Sequence, residues 1–306
     1  MVPDPEDLYE VDSDVPVLDG AVLLHHFDGF IDAGSAGRAV ADHLLDQLGG
    51  PVVARFDVDR LLDYRSRRPP MTYATDHWAE YEAPELAVRL LHDSDDTPFL
   101  LLTGPEPDRE WERVAAAVRT LIERWGVRLT AGFHGIPMGV PHTRPLGVTA
   151  HATRSELVGG FQPLFNRMQI PGSLAALLEL RLGEAGHDAM GFAAHVPHYL
   201  AQATYPAAGL TLLDSIERAT GLSLPGDALR EAAHRTDTEI ERQVAESDEV
   251  AEVVRALEQQ YDAFASASEK GSLLADSEQM PTAEELGSEF EKFLAEQQGR
   301  GESGES

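Results

Sequence analysis

The chain has 306 residues, with 24 lysines and arginines against 53 aspartates and glutamates, and its formal net charge is −29 at pH 7. This length suffices for one large or two small domains with an apolar core, and the charge argues against nucleic acid or an anionic membrane as the main partner. The absence of cysteine excludes disulfide bonds, thiolate metal sites and a cysteine nucleophile.

The first segment, residues 1–19, is acidic and contains proline, and it has neither the basic region nor the apolar stretch of a signal peptide. We expect it to be a lead-in that adds an edge strand near residues 15–18. No apolar run reaches the ~18 residues that a membrane-spanning helix needs. The sequence therefore predicts a cytoplasmic protein without a membrane partner.

Residues 21–48 predict a strand, a turn and a helix. An apolar run at 21–24 is typical of a buried strand, and apolar residues return at helical spacing over 36–48. Such a turn places helix N–H groups at the carboxyl end of a strand, where open α/β sheets usually bind ligands. However, the turn has no P-loop lysine, and its glycines do not fit the G-x-G-x-x-G spacing. Asp32 is well placed to cap the helix.

The next stretch predicts four strands and a helix. The strands are at 51–56, 72–83, 85–92 and 98–103, and the helix is at 111–125. We expect 72–83 and 85–92 to form an antiparallel pair joined near Pro84. The apolar run 98–103 is typical of a strand covered on both faces.

An arginine-rich segment at 57–70 separates the first two of these strands. We expect an ordered loop there, because two prolines stop a helix. Its four arginines could supply positive charge to a cleft, but pairing with the many local aspartates is the preferred interpretation. They are Arg60, Arg65, Arg67 and Arg68.

The remaining chain predicts further alternation and then helix alone. Strands are expected at 127–133, 146–151 and 188–195, and helices at 173–186, with Ser173 as N-cap, and at 197–221. The alternation predicts a three-layer α/β/α sandwich with a mixed, largely parallel sheet over residues 1–221.

Two segments follow this sandwich. Residues 222–264 carry an amphipathic pattern that predicts one long helix or a helical pair, packed on the core or at an oligomer interface. An unbroken helix over 227–264 would be ~57 Å long. Residues 265–306 are small, polar and acidic, and we expect a largely disordered tail with a helix at 283–298.

Three loops follow predicted strands, at 28–34, 104–108 and 134–145, and would gather along one edge of a parallel sheet. The carboxylates and imidazoles there could support acid–base chemistry or hold a divalent cation, although glycine, proline and capping aspartate also fit a purely structural role. The candidate ligand-binding residues are Gly29, Asp32, Ala33, Gly34, Glu106, His134, His142 and Arg144.

No complete catalytic, metal or cofactor motif is present. His195 and His198 have helical spacing, but Pro197 interrupts it and no glutamate completes a zinc-protease pattern. The loop serines, Ser35 and Ser173, do not lie in G-x-S-x-G. We therefore predict no catalytic residue, no metal and no cofactor.

The segments GFIDAGSAG, LLDYRSRRP, LLLTGPEPD and GIPMGVPHTRP occur in this order and resemble the proteasome-assembly-chaperone family, in its actinobacterial branch. The resemblance covers roughly residues 15–264. It implies a phosphorylase/hydrolase-like α/β/α sandwich followed by helices, a tendency to form oligomers, and no established catalytic residue. It also implies protein partners, with proteasome subunits as candidates.

Some members of this family dock through a C-terminal hydrophobic-Tyr-X tail. This sequence ends in Gly304-Glu305-Ser306 and its last tyrosine is Tyr261, so we do not expect docking by that route. The leading hypothesis is a non-catalytic, homo-oligomeric assembly-chaperone-like protein. The alternatives are a small-molecule-binding protein or hydrolase/phosphorylase-like enzyme with a cleft at the strand ends, and a structural oligomer built on the long C-terminal helix.

Overall fold

The computed structural model describes residues 4–12, 15, 18, 20–161 and 167–269. The strands are β1 (Tyr9–Val11), β2 (Val22–Asp28), β3 (Val52–Phe56), β4 (Met71–Ala74), β5 (His77–Tyr81), β6 (Ala87–His92), β7 (Pro98–Pro105), β8 (Leu129–Met138), β9 (Val148–Ala152) and β10 (Ala189–Pro197). The helices are α1 (Ala36–Leu48), α2 (Val58–Leu61), α3 (Trp111–Trp125), α4 (Leu174–Glu184), α5 (Pro206–Thr220), α6 (Asp227–Ala245) and α7 (Asp248–Glu269).

Eight strands form one mixed sheet in the order β1-β3-β6-β7-β2-β8-β10-β9. The four strands β7, β2, β8 and β10 are mutually parallel, with Leu24 of β2 opposite Leu101 of β7 and Ala131 of β8. The other neighbours pair antiparallel. The carboxyl ends of β2, β7 and β8 therefore meet at one edge of the sheet.

Helices cover both faces of this sheet, which confirms the predicted three-layer α/β/α fold. Helices α1 and α5 pack on one face, and α3 and α4 pack on the other. Strand β7 sends Phe99 and Leu101 to the first face and Leu100 and Leu102 to the second, and all four are buried. The predicted two-sided coverage of this strand is confirmed.

Strands β2 and β8 are longer than predicted. The first runs to Asp28, and the second runs to Met138 where a loop was expected from His134 onward. The reason is that β8 pairs with β10 as far as Met138 opposite Pro197, so the sheet satisfies the backbone of this glycine- and proline-containing stretch. His134 is consequently a strand residue.

The predicted antiparallel pair of 72–83 with 85–92 is wrong. Residues 71–81 instead fold on themselves as the β4–β5 hairpin, which forms a separate two-stranded sheet. Thr75 sits in the hairpin turn with φ of 55°. Strand β6 pairs with β3 and β7, because its apolar residues on both faces suit a position inside the main sheet.

Two smaller boundaries also differ. The edge strand that the structure shows is β1, at residues 9–11. Of the edge strand predicted at 15–18, positions 16 and 17 lie outside the described residues. The segment 57–70, expected to be a loop throughout, contains the single helical turn α2 before its prolines.

Helix α5 begins at Pro206, and the predicted start at residue 197 is wrong. Strand β10 continues to Pro197, and a short 3-10 turn, His198–Leu200, follows it. Proline is well suited to the first helical position, where its missing N–H has no partner to lose. Ser173 caps α4 as predicted, because its hydroxyl accepts a hydrogen bond of 3.2 Å from the N–H of Ala176.

The C-terminal region is a helical pair, which is one of the two alternatives that the sequence predicted. A break at Glu246 and Ser247 separates α6 from α7. Helix α7 continues to Glu269, past the expected start of the tail at 265. The rest of that tail, with its predicted helix at 283–298, lies outside the described residues. In the described part of the chain, no helix is both long and apolar enough to cross a membrane.

Candidate functional site

The turn after β2 is closed by the side chain of Asp32. One carboxylate oxygen accepts hydrogen bonds from the N–H groups of Gly37 (2.8 Å) and Gly135 (2.9 Å), and the other accepts one from Arg38 (3.0 Å). Gly37 and Arg38 lie in the first turn of α1, where N–H groups lack partners within the helix. Asp32 thus caps α1 as predicted, and it holds the position that a bound anion would take.

Ala33 and Gly34, the next residues of the turn, are buried. Gly34 has a φ of 66°, donates a hydrogen bond of 2.9 Å to the carbonyl of Ala201 and accepts one of 2.8 Å from Tyr205. A Cβ at Gly34 would lie 3.0 Å from the Cβ of Tyr205. This part of the turn is therefore packed against the connection between β10 and α5.

The buried imidazole of His26 lies beside this turn, next to two half-buried carboxylates. The Nδ1 of His26 is 3.1 Å from the carbonyl oxygen of Phe133, and its Nε2 is 3.4 Å from Asp28 and 3.8 Å from Asp32. Burial opposes protonation of His26, but the two carboxylates raise its pKa overall. Burial alone would raise the pKa of Asp28, but His26 and Arg38 lower it. The imidazole of His26 thus joins β2, β8 and the start of α1.

Gly37 allows His26 to occupy this place. A Cβ at residue 37 would lie 2.5 Å from the Nδ1 of His26 and 2.8 Å from the carbonyl oxygen of Phe133. Distances this short are not tolerated between nonbonded atoms. The glycine at this helical position is therefore explained by the close approach of the imidazole.

Arg67 joins the ends of β2 and β7. Its guanidinium donates to the carbonyl oxygens of Asp28 (3.0 Å) and Glu106 (2.6 Å) and pairs with the carboxylate of Asp108 (2.8 Å). A Cβ at Gly29 would lie 3.0 Å from the Nη1 of Arg67. Arg67 does pair with an aspartate, but that aspartate is Asp108 on the neighbouring loop and not one of the local aspartates of 57–70.

Glu106 is 8% exposed and supports α4. Its Oε1 accepts a hydrogen bond of 2.7 Å from the N–H of Leu174, the first residue of that helix. His134 precedes Gly135 in β8, and burial lowers its pKa to about 4, so its imidazole is neutral. The structure therefore brings Gly29, Asp32, Ala33, Gly34, Glu106 and His134 to the ends of β2, β7 and β8.

His142 and Arg144 lie apart from that group, on the loop after β8. The Nδ1 of His142 is 2.7 Å from the hydroxyl oxygen of Tyr199. Arg144 forms two hydrogen bonds of 2.8 Å with the carboxylate of Asp262 and one of 3.1 Å with Glu258, both on α7. Helix α7 therefore covers this loop.

Among the described residues, no group of three or more histidine, aspartate and glutamate side chains is placed to hold a metal ion. His195 is buried in β10 with its Nε2 2.8 Å from the hydroxyl oxygen of Thr149, and burial lowers its pKa to about 4.

The β4–β5 hairpin carries an apolar surface that the sequence interpretation missed. Its cross-strand pairs place four large side chains on one face, and each is more than half exposed. We call them the hairpin face: Met71, Tyr73, Trp78 and Tyr81. Alternation in the sequence was the available signal, but the register shift after Thr72 breaks its regular period.

The chain is similar to one protein family and to several proteins of known structure. Residues 26–244 match the model of the PAC2 family. A protein of unknown function from Mycobacterium tuberculosis is 50% identical with a TM-score of 0.83, over 87% of this chain and 92% of that one. One from Corynebacterium glutamicum is 39% identical with a TM-score of 0.80, over 84% and 97%. No curated protein matches the sequence.

More distant similarities extend to proteins linked with the proteasome. A proteasome-assembly chaperone homologue from Mycobacterium tuberculosis is 26% identical with a TM-score of 0.70, over 76% of this chain and 99% of that one. An archaeal proteasome activator from Pyrococcus furiosus shares the fold at 17% identity, with a TM-score of 0.59, over 78% and 98%.

Proposed function

Because the chain belongs to the PAC2 family, we propose that it is a non-catalytic, assembly-chaperone-like protein that binds other proteins in the cytoplasm, with proteasome subunits as the first candidates. The 26% identity and shared fold with the proteasome-assembly chaperone homologue described above support this class of partner. The strong negative charge favours a partner with a basic surface.

The hairpin face is the observation that carries the homo-oligomeric part of the proposal. A two-stranded hairpin is at best marginally stable alone in water, and large apolar side chains gain free energy when a partner covers them. Met71, Tyr73, Trp78 and Tyr81 are 51%, 58%, 64% and 52% exposed. We propose that a second copy of the chain covers this face, which makes the functional unit a homo-oligomer.

The candidate residues at the strand ends support a structural role more than a catalytic one. The carboxylate of Asp32 already accepts hydrogen bonds from three backbone N–H groups, and the carboxylate of Glu106 accepts one from the first residue of α4. The guanidinium of Arg67 already donates hydrogen bonds to two carbonyl oxygens and to a carboxylate. A second candidate function, small-molecule binding, is favoured only by a cavity beside His142 and Arg144.

The protein-binding proposal is tested with proteasome α-subunits from the native host. Purified α-subunits are mixed with the full chain and analysed by size-exclusion chromatography with native mass spectrometry. We expect a complex of defined stoichiometry and a changed rate of particle assembly. An unchanged elution profile together with an unchanged assembly rate would contradict the proposal.

A further inference from the structure

A cavity of about 380 Å³ lies between α5, α6 and the loop after β8. His142 and Arg144 line it from the loop, Tyr205 from the residue before α5, and Arg230 and Asp237 from α6. This volume is at the lower end of the range for small-molecule sites. The cavity therefore suits a molecule of metabolite size.

The two arginines of the cavity are already paired with carboxylates. Arg144 is held by Asp262 and Glu258 of α7, and the Nη1 of Arg230 donates a hydrogen bond of 2.7 Å to Asp227. Arg144 faces two carboxylates and Arg230 faces one, so neither arginine adds net positive charge to the cavity. The cavity consequently lacks the free cation that an anionic ligand would need.

Asp237 supplies the unmatched charge. One of its carboxylate oxygens is buried and has no hydrogen-bond partner in the described part of the chain. The carboxylate lines the cavity and forms no ion pair with an arginine among the described residues, so its charge is available to a ligand. Burial raises the pKa of Asp237, and Glu241 adds to the effect. A positive charge placed beside it would favour its ionised form.

His142 and Tyr205, two other groups that line the cavity, are neutral. Burial lowers the pKa of His142, and the opposing fields of Asp237, Glu241 and Glu258 do not reverse this. Tyr205 is 2% exposed, and its pKa is raised by burial and by Asp237. The tyrosine is thus a neutral phenol that lines the same cavity as the carboxylate, able to accept a hydrogen bond from a ligand.

We propose that this cavity binds a small organic cation with N–H donors, a primary amine or a guanidinium, which pairs with Asp237 and donates to the hydroxyl oxygen of Tyr205. Such a ligand supplies both the donor and the charge that the cavity lacks. The proposal is independent of the protein-binding role, because it concerns α5 and α6 and not the hairpin face.

The test measures ligand-induced changes in melting temperature and calorimetric affinity for the full chain at constant ionic strength. The probes are agmatine and putrescine, and the matched controls are glutarate, an anion of similar length, and pentanediol, which is neutral. The variants are Asp237→Asn, which keeps the shape but removes the charge, and Tyr205→Phe, which removes only the hydroxyl. Glu231→Gln, on α6 but outside the cavity, is the control variant.

We expect agmatine or putrescine to raise the melting temperature saturably in the wild type and in Glu231→Gln, without an effect of glutarate or pentanediol. Asp237→Asn should weaken the affinity by about tenfold or more, and Tyr205→Phe should weaken it severalfold. If Asp237→Asn does not fold, Tyr205→Phe decides. No saturable effect of either amine, equal affinity in the variants, or tighter binding of glutarate would overturn the proposal.

Discussion

The carboxylate of Asp32, on the turn after β2, accepts a hydrogen bond of 2.9 Å from the backbone N–H of Gly135 in the neighbouring strand β8. The same carboxylate accepts two more hydrogen bonds, from Gly37 and Arg38 of α1. One side chain thereby fixes the first helix, the turn and the sheet relative to one another. The turn that resembled an anion site in sequence is stabilised by an anion of its own.

Replacing Asp32 with alanine should destabilise the fold by about 2–4 kcal/mol, because three N–H groups lose a charged acceptor. The measurement is the free energy of unfolding in urea. Asp46→Ala is the control, since Asp46 is an exposed residue of the same helix. Equal stabilities for the two variants would contradict the role assigned to Asp32.

Replacing Gly37 with alanine should destabilise the protein by about 1–3 kcal/mol, although the same change in an ordinary helix is stabilising. The new methyl group would displace His26 or the carbonyl of Phe133. Gly172→Ala is the control, because a Cβ there meets nothing within 4 Å. If the free energy of unfolding of Gly37→Ala equals or exceeds that of the wild type, the packing described for His26 is contradicted.

The stability conferred by His26 should depend on pH. Because its pKa is raised in the folded state, its contribution is fully present below the ordinary value of 6.5 and is lost as the pH rises through the raised pKa. The destabilisation caused by His26→Gln should therefore be largest in mildly acidic solution and shrink above pH 6.5. Urea unfolding at a series of pH values measures it.

His195 provides the opposite case. Burial lowers its pKa to about 4, so between pH 6.5 and about 4 the unfolded chain binds a proton that the folded chain does not. The destabilisation caused by His195→Gln should hence shrink as the pH falls through that window. Parallel pH profiles for the two variants would show that the charge states assigned here are wrong.

The hairpin face should control self-association. Trp78→Ser removes the most exposed of its side chains, and we expect sedimentation velocity to show a shift from oligomer toward monomer. Leu180→Ser on α4 is the control, because Leu180 is 56% exposed but lies outside the hairpin. A wild-type chain that sediments as a monomer, or a Trp78→Ser variant that remains fully associated, would refute this interface.

The elements with a strong, regular pattern were predictable from the sequence. Helix α3 has the predicted bounds because its apolar stripe is long and its neighbours Glu110 and Gly126 adopt the left-handed conformation at its two ends. Strand β7 was recognisable because every side chain of its run 99–102 is apolar. The caps by Ser173 and Asp32 follow from local spacing alone.

The site geometry depends on contacts that the sequence does not display. Arg67 contacts Asp28, which lies 39 positions away in the sequence, and Asp108, which lies 41 positions away. Glu106 accepts a hydrogen bond from the first residue of a helix that lies 68 positions away. His134 was assigned to a loop because glycine and proline follow it, yet pairing with β10 extends the strand. Asp237 gave no local signal, since an aspartate on an amphipathic helix is ordinarily solvated.

Direct binding to proteasome α-subunits tests the proposed function most directly. Native mass spectrometry of the full chain mixed with purified host α-subunits should show a complex of defined stoichiometry. Free α-subunits and a free chain at concentrations that permit assembly, with an unchanged assembly rate, would contradict the assembly-chaperone role.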